Sequence, residues 1–298
     1  MTTKEKFLLP EVRCDYQVDA KMKAIWKIEL DMLEEFMMLC DRHKLRWFLI
    51  AGSLLGAIRH KGFIPWDDDI DIGMMRDDYM RFLAIASKEL KYPLWLQSTY
   101  TERAWPYEFA KIHNSETTAI DTVLAKQGRD VNSGIFIDIF PIDGINADYA
   151  LHAKVMRRAA SLSQWRYYTG DFGLQPKKII KWIVGSVCKV LPLNKWLSDK
   201  RISQYSMWPV EESEKCGMIT FAPGNSRFEW DTSFFKDEDV EVPFEYLKVR
   251  VPRQYEKILN HMYGNWHVFQ RSTSFHDGTT CFDPYRPYKK VRKELFGF

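Results

Sequence analysis

Apolar residues recur every three or four positions between residues 19 and 44, the spacing of one face of an amphipathic helix. They are Met22, Ile25, Trp26, Leu33, Phe36, Met37 and Cys40. Short apolar or alternating runs then predict strands at 45–51, 69–74, 94–99, 107–113 and 135–140, with helical patterns at 52–60 and about 77–90. This alternation of strands and helices predicts an α/β fold for the first half of the chain.

The pattern changes near residue 147. Residues 147–206 carry a helical pattern with breaks at Pro176 and Pro192, and the last third mixes short strands with a helix near 253–262. We therefore predict a single domain over 1–298 in three parts: a core at 1–146, a basic helical segment at 147–210 and a small α+β part at 211–298.

Composition narrows the class of protein. The 298 residues are 46% apolar and 28% charged, which is ordinary for a globular enzyme and excludes disordered, collagen-like and low-complexity architectures. The beginning of the chain lacks the apolar stretch of a signal peptide, and no window reaches the roughly 18 apolar residues of a spanning helix. The five cysteines are scattered and odd in number, which argues against a disulfide framework or a cysteine zinc site. These features predict a cytoplasmic protein.

Positive charge is concentrated in residues 151–210, which contain eleven Lys or Arg and two Asp, while the rest of the chain carries a net charge of −6. Within this segment, a helix over 176–192 would collect its lysines on one side and its apolar residues on the other. That pattern suits a helix lying among anionic lipid headgroups, so we predict peripheral binding to the inner face of the cell membrane. The alternative is a helix that packs on its own domain with its lysines in water.

The most informative residues follow Trp66 in the run DDDIDIG. Side chains two apart on a strand point the same way, so Asp69 and Asp71 share one face while the two isoleucines enter the core. Two carboxylates aimed at one point repel each other, and a divalent cation is the usual way to offset this repulsion. A third carboxylate, Asp138, lies in the alternating strand GIFIDIF, where burying an unpaired charge is expensive.

Upstream, Gly52 and Ser53 stand where a predicted strand gives way to a helix, a turn that can present N–H groups and a hydroxyl to a phosphate. A Gly-Ser turn, an Asp-x-Asp strand and a third Asp resemble the arrangement of a nucleotidyltransferase-like mixed-sheet core. Such a core uses two Mg²⁺ ions, or Mn²⁺, for phosphoryl transfer. If one carboxylate also accepts the acceptor's proton, Asp138 is the better candidate. A solvated acidic loop is the alternative, whereas a calcium loop is disfavoured by Ile72 at the position that requires glycine.

Two stretches, GSLLGAIRHKGFIPWDDDIDIGMMRDDYMRF and GIFIDIFPIDGI, resemble the signature blocks of the LicD family. The resemblance implies a magnesium-dependent phosphotransferase that moves phosphocholine, or a similar alcohol phosphate, from a CDP-alcohol to a cell-surface glycan or its lipid-linked precursor, as in teichoic acid or lipopolysaccharide modification. It implies metal carboxylates at Asp69, Asp71 and Asp138, and a phosphate-side turn at Gly52 and Ser53. Arg59 and Lys111 are candidate pyrophosphate contacts, since a nucleotide diphosphate needs cations beyond Mg²⁺.

Recognition of choline would favour an aromatic cage, for which Trp66, Trp105, Tyr107 and Trp230 are candidates. Two other functions remain open: an adenylyltransferase acting on a protein acceptor, and a catalytically silent membrane-associated scaffold. We predict no nucleic-acid partner, because the chain lacks a broad basic surface interleaved with base-stacking aromatic residues.

Overall fold

The computed structural model describes residues 3–102, 104–167, 179–180, 183, 193–270 and 278–297. Its helices are α1 Thr3–Phe7, α2 Ala20–Arg42, α3 Ala51–His60, α4 Arg76–Glu89, α5 Thr122–Lys126, α6 Tyr149–Tyr167, α7 Leu193–Tyr205, α8 Tyr255–Tyr263 and α9 Tyr288–Phe296. Its strands are β1 Glu11–Arg13, β2 Tyr16–Val18, β3 Phe48–Leu49, β4 Asp71–Met75, β5 Leu94–Gln97, β6 Ala110–Asn114, β7 Thr118–Asp121, β8 Ile135–Ile145, β9 Lys215–Gly217, β10 Glu229–Asp231, β11 Val240–Phe244, β12 Leu247–Val251 and β13 Thr280–Asp283. Short 3₁₀ helices occur at Val210–Glu212, Ser226–Phe228 and Thr232–Phe235.

In the described part of the chain, seven strands form a mixed sheet at the centre of the fold. Its main path runs β10-β9-β8-β4-β3, and β6 also pairs with β8 and carries β5 at its other edge. The β4–β8 pair is parallel, and the other pairs of this sheet are antiparallel. The predicted mixed α/β class is therefore confirmed, while its nucleotidyltransferase-like character stays a prediction.

Helix α2 is the long helix that the apolar spacing predicts. Its N-cap Asp19 accepts a hydrogen bond from the Met22 N–H at 2.8 Å, which satisfies one of the free donors of the first turn. The apolar face of α2, including Trp26, Leu33 and Phe36, is buried in the main core cluster. This helix thereby covers the sheet at strands β6 and β8.

A buried ion pair links the two parallel strands at the centre of the sheet. Arg76 directly follows β4, and both of its donating nitrogens lie 2.6 Å from the carboxylate oxygens of Asp143 on β8. The two side chains are nearly inaccessible to solvent. A bidentate pair of this kind fixes geometry as well as charge, so it helps to hold β4 in register with β8.

The strands predicted at 69–74, 94–99 and 107–113 are found with shifted bounds, at Asp71–Met75, Leu94–Gln97 and Ala110–Asn114, and two further predictions differ for identifiable reasons. The strand predicted at 45–51 shrinks to Phe48–Leu49, because the backbone turns at Ala51 with φ of 50° and α3 begins there. Strand β8 continues to Ile145 rather than ending at 140, because β9 from the last third of the chain pairs with residues 143–145. The pairing of β13 with β7, far apart in sequence, was not predicted either.

The helix predicted over 176–192 lies mostly outside the described residues, so its contacts and its membrane role remain predictions. Among the residues that are described, no helix combines the length and the apolar content that crossing a membrane requires. Strands β9 and β10 come from the C-terminal part and complete the central sheet. The three-part division of the chain remains a prediction.

Candidate active site

Three aspartates meet at the junction of β4 and β8. Asp71 is the first residue of β4 and pairs in register with Asp138 of the parallel strand β8, while Asp69 precedes it by two positions. One carboxylate oxygen from each of Asp69, Asp71 and Asp138 lies within 4.8 Å of the other two. The structure thus brings together the side chains that the alternation of acidic and apolar residues predicts on one face.

The start of α3 holds Asp71 in place. The N–H of Gly52 donates to the Asp71 carboxylate, and the N–H of Asp71 donates to the Ser53 hydroxyl at 2.8 Å. A Cβ added at Gly52 would lie 2.8 Å from an Asp67 carboxylate oxygen, so a side chain there would displace an acidic group. Both residues predicted to face phosphate therefore contact Asp71 in this structure, and their phosphate contacts stay predictions.

The sequence indicated two cations, Arg59 and Lys111. Of these, Lys111 lies beside the three aspartates. It pairs with Asp138 across the β6–β8 ladder, and its ammonium lies 2.8 Å from Oδ1 and 3.1 Å from Oδ2 of that carboxylate. The same ammonium stands 3.3 Å from the centroid of the Phe136 ring. Lys111 thus pairs directly with one of the three aspartates, and its charge also acts on Asp71.

The donor set fits a divalent metal ion. Desolvation, followed in size by the charges of Asp138 and Asp67, raises the pKa of Asp71 well above its usual range, while Lys111 and the Gly52 N–H oppose the shift. Desolvation and the neighbouring Asp69 and Asp68 likewise raise the pKa of Asp67. Converging carboxylates that destabilise each other's charge are the ligands that Mg²⁺ and Mn²⁺ prefer.

The raised pKa of Asp71 predicts how the stability of the metal-free protein depends on pH. Between the ordinary carboxyl pKa of about 3.9 and the raised value, folded Asp71 keeps a proton that the unfolded chain has released, so the free energy of unfolding falls as pH rises. We expect the melting temperature in EDTA to fall more steeply, as the pH rises above about 4, in the wild type than in Asp71→Asn. Equal slopes in the two proteins would contradict this account, and Asp77→Asn, an exposed aspartate of α4, should keep the wild-type slope.

A cavity of about 450 Å³ opens over the carboxylates. Asp67, Asp69, Asp71 and Asp138 lie at its acidic end together with Gly52 and Lys111. Aromatic rings form much of its remaining wall: Trp105, Tyr107, Phe109, Phe136, Phe140 and Phe221. Its volume lies in the range of small-molecule sites, so it can hold a ligand with a charged end and an apolar end.

Some of the predicted residues lie away from this cavity. Arg59, at the last turn of α3, donates to the Trp266 carbonyl at 3.0 Å and does not line the cavity, so its pyrophosphate contact has no support from the structure. Trp66 packs on Tyr16 and Phe269, and Trp230 packs on Phe235. Trp105 and Tyr107 are therefore the two cage candidates that the structure places at the cavity.

Several residues near the site were missed by the sequence reasoning. Arg129 and Arg292 line the cavity from segments that carry no recognisable motif. Glu29 of α2 is completely buried, and its pKa is raised well above the ordinary value by desolvation and then by Asp69, Asp68 and Asp67. The sequence alone could have indicated Glu29, because an acidic residue at position 29 falls on the apolar face of α2, one turn from Trp26 and Leu33.

Comparison with known proteins agrees with this geometry. Residues 44–168 match the family model described as LicD/FKTN/FKRP, nucleotidyltransferase domain, and this range includes Asp69, Asp71 and Asp138. The chain is 29% identical over 249 residues to the lipopolysaccharide cholinephosphotransferase LicD of Haemophilus influenzae. The aligned region covers 80% of this chain and 88% of that protein. It is 33% identical over 73 residues to the human ribitol 5-phosphate transferase FKRP. That aligned region covers 24% of this chain and 15% of the human protein.

A further similarity, 38% identity over 82 residues, is to an uncharacterized protein of Rickettsia typhi and covers 25% of this chain and 26% of that one. The resemblance indicated by the sequence blocks is thus confirmed. Over residues 44–168 the chain is therefore similar to the LicD family.

Proposed function

We propose that this protein is a magnesium-dependent phosphotransferase that moves phosphocholine, or a similar alcohol phosphate, from a CDP-alcohol to a hydroxyl of a cell-surface glycan or its lipid-linked precursor. The observation that carries the proposal is one cavity that combines three converging aspartates with an aromatic wall. The similarity to a cholinephosphotransferase and to a ribitol 5-phosphate transferase supports it, since both names describe the transfer of an alcohol phosphate.

Each side chain has a distinct task in this proposal. Asp69, Asp71 and Asp138 would hold Mg²⁺, which supplies positive charge for the transferring phosphoryl group. Gly52 and Ser53 fix the position of Asp71 through its carboxylate and its N–H. Lys111 adds a positive charge beside Asp138 at the same end of the cavity. Asp138 remains our candidate for accepting the proton of the acceptor hydroxyl.

The aromatic wall supports an alcohol that carries a positive charge. Tyr107 and Phe109 stack with centroids 5.4 Å apart, and the Trp105 and Phe109 rings meet edge to face at 5.6 Å. The faces of aromatic rings attract cations, and quaternary ammonium groups bind in cages of this composition. The Lys111 ammonium already lies over Phe136, 3.3 Å from the ring centroid, so the rings that we propose for the choline cation are Trp105, Tyr107 and Phe109. We therefore place choline first among the alcohols.

A donor panel tests the proposed function. The purified protein is incubated with Mg²⁺ and a glycan acceptor fraction, and with CDP-choline, CDP-glycerol, CDP-ribitol or ATP in separate reactions. We expect CMP release and phosphocholine on the glycan with CDP-choline. Pyrophosphate release from ATP with a labelled protein would instead indicate an adenylyltransferase, and no product from any donor would indicate a silent scaffold.

Replacing Trp105 should change the preference among donors. In Trp105→Ala we expect the KM for CDP-choline to rise about tenfold, because a cation–π contact in a desolvated site contributes about 1–2 kcal/mol. The KM for CDP-glycerol or CDP-ribitol, which lack a cation on the alcohol, should change less than about threefold. Tyr285→Ala, which removes an aromatic ring that is 73% exposed, is the matched control. An equal loss with charged and uncharged alcohols would contradict recognition by the aromatic wall.

A further inference from the structure

A second cavity shares one segment of the chain with the first. Phe221 and Phe228 line the first cavity, whereas Gly224 and Glu229, which belong to the same segment, line the second. The second cavity has a volume of about 440 Å³, and its walls come from α6, β9, β10 and α8. It lies in the size range of small-molecule sites, and none of the residues of the proposed mechanism lines it.

A buried histidine of α6, His152, lines this cavity. It is 3% exposed, and neither of its ring nitrogens has a hydrogen-bond partner in the described part of the chain. Desolvation lowers the pKa of His152, so its imidazole is neutral at pH 7 and offers one donor and one acceptor. Burying a donor and an acceptor unpaired is costly. A ligand in the cavity that supplies both partners would therefore be stabilised there.

The described lining of the cavity also includes one carboxylate, Glu229, and two cations, Arg157 and Lys215. The pKa of Lys215 is raised by its hydrogen bond to the Tyr149 hydroxyl, 2.9 Å away, and further by the carboxylate of Glu229, which is 8% exposed. A carboxylate only accepts hydrogen bonds, whereas ammonium and guanidinium groups only donate them. The cavity therefore presents fixed donors and fixed acceptors together.

This mixture selects the chemical class of the ligand. A phosphate group would face the buried Glu229 carboxylate, and an organic cation would face Arg157 and Lys215. A neutral sugar meets neither repulsion, because each of its hydroxyls both donates and accepts a hydrogen bond. The half-exposed ring of Tyr149 adds an apolar surface on which the C–H groups of a sugar can pack. The lining therefore favours a neutral sugar over either kind of ion.

The register along β8 places this cavity away from the three aspartates. Lys215 of β9 pairs with Ile145 at the end of β8, whereas Asp138 lies near the beginning of that strand. At about 3.3 Å per residue, these two points of β8 are roughly 20 Å apart. A sugar in the second cavity is therefore not the one that receives the phosphoryl group, but it can be another unit of the same glycan.

We propose that the second cavity is a remote subsite for a neutral sugar of the acceptor glycan, in which His152 and Glu229 form hydrogen bonds with the sugar hydroxyls. The inference rests on the proposed function, because it gives that function's acceptor a second point of attachment. Contacts with a remote part of a substrate supply binding energy that helps to hold its reacting group in place. His152 and Glu229 are binding residues in this scheme and take no part in the transfer itself.

Oligosaccharide binding without turnover tests the subsite. The probe is the lipid-free oligosaccharide released from lipopolysaccharide, titrated into the full-length chain in EDTA without donor and followed by saturation-transfer NMR. We expect the wild type to bind it, and His152→Phe and Glu229→Gln each to weaken binding by about tenfold, the effect of losing one hydrogen bond. The KM for the same oligosaccharide in the transfer reaction should rise by a similar factor, while the KM for CDP-choline should not rise with it.

Two matched variants control for the substitutions. His267→Phe changes an exposed histidine that also stacks on a tryptophan ring, and Glu241→Gln changes an exposed glutamate of β11. Both should bind the oligosaccharide as the wild type does, and circular dichroism establishes that every variant is folded before titration.

The possible outcomes separate this inference from the proposed function. No binding, or binding that His152→Phe and Glu229→Gln leave unchanged, overturns the subsite and leaves the proposed function in place. Displacement of the oligosaccharide by inorganic phosphate would show an anion site and overturn the assignment to a neutral sugar. Binding that depends on both residues, in a protein that releases CMP from no donor, overturns the proposed function and with it the acceptor role, while the sugar site itself stands.

Discussion

Asp71→Asn should lower CMP release from the donor by about a thousandfold or more. Asp71 stands at the centre of the carboxylate set, opposite Asp138 in the register of β4 and β8 and in contact with the start of α3. An amide in its place keeps the shape but removes one negative charge from the predicted metal site. Metal ions contribute several kcal/mol to transition states of this type, and about 4 kcal/mol corresponds to a thousandfold in rate. The measurement is the initial rate of CMP formation at saturating donor.

The matched control for this loss is Asp77→Asn, which changes an exposed aspartate six residues further along the chain. Its rate should stay within about twofold of the wild type, because surface substitutions away from special features have small effects. The melting temperature of metal-free Asp71→Asn should not fall, since the substitution removes a charge that its neighbours disfavour. CMP formation that survives Asp71→Asn would refute the assignment of this residue.

Asp143→Asn should lower the free energy of unfolding by about 3–5 kcal/mol, the usual result of breaking a buried ion pair by removing one partner. The Arg76 guanidinium would keep its charge in a site that is nearly inaccessible to solvent, and the amide could no longer neutralise it. Because this pair links the end of β4 to β8, we also expect the register of Asp71 against Asp138 to loosen and activity to fall. Urea unfolding followed by circular dichroism measures the change in stability.

An exposed ion pair provides the control for that experiment. Arg286 and Glu294 pair at 2.9 Å with both side chains nearly half exposed. Glu294→Gln should therefore change stability by less than about 1 kcal/mol. A loss for Asp143→Asn no larger than the loss for Glu294→Gln would show that the buried pair does not hold β4 to β8.

The convergence of the acidic residues could be predicted because it depends on local geometry. Asp69 and Asp71 alternate with isoleucines, and Asp138 stands alone in an apolar run, so both strands had to turn these charges toward a common polar face. Helix α2 was equally predictable, since its apolar residues repeat over 23 positions. These features depend on spacing along a single segment, which a sequence displays directly.

Other features of the site depend on contacts between distant segments. The cavity wall combines Tyr107 before β6 with Phe221 beyond β9, and Arg292 of α9 comes from near the end of the chain. No local pattern encodes such neighbours, because the pairing of β9 with the end of β8 and of β13 with β7 brings them together. Arg59 shows the opposite case, a residue next to the motif in sequence whose helix carries it away from the cavity.

The account as a whole depends on Asp69, Asp71 and Asp138 enclosing a divalent cation. The most direct test is a crystal structure of the protein soaked in Mn²⁺, with the ion located by its anomalous scattering. We expect a peak about 2.0–2.3 Å from a carboxylate oxygen of each of these three aspartates. A crystal that takes up Mn²⁺ elsewhere, with Asp138 still paired to Lys111 and no ion beside Asp71, would contradict the account.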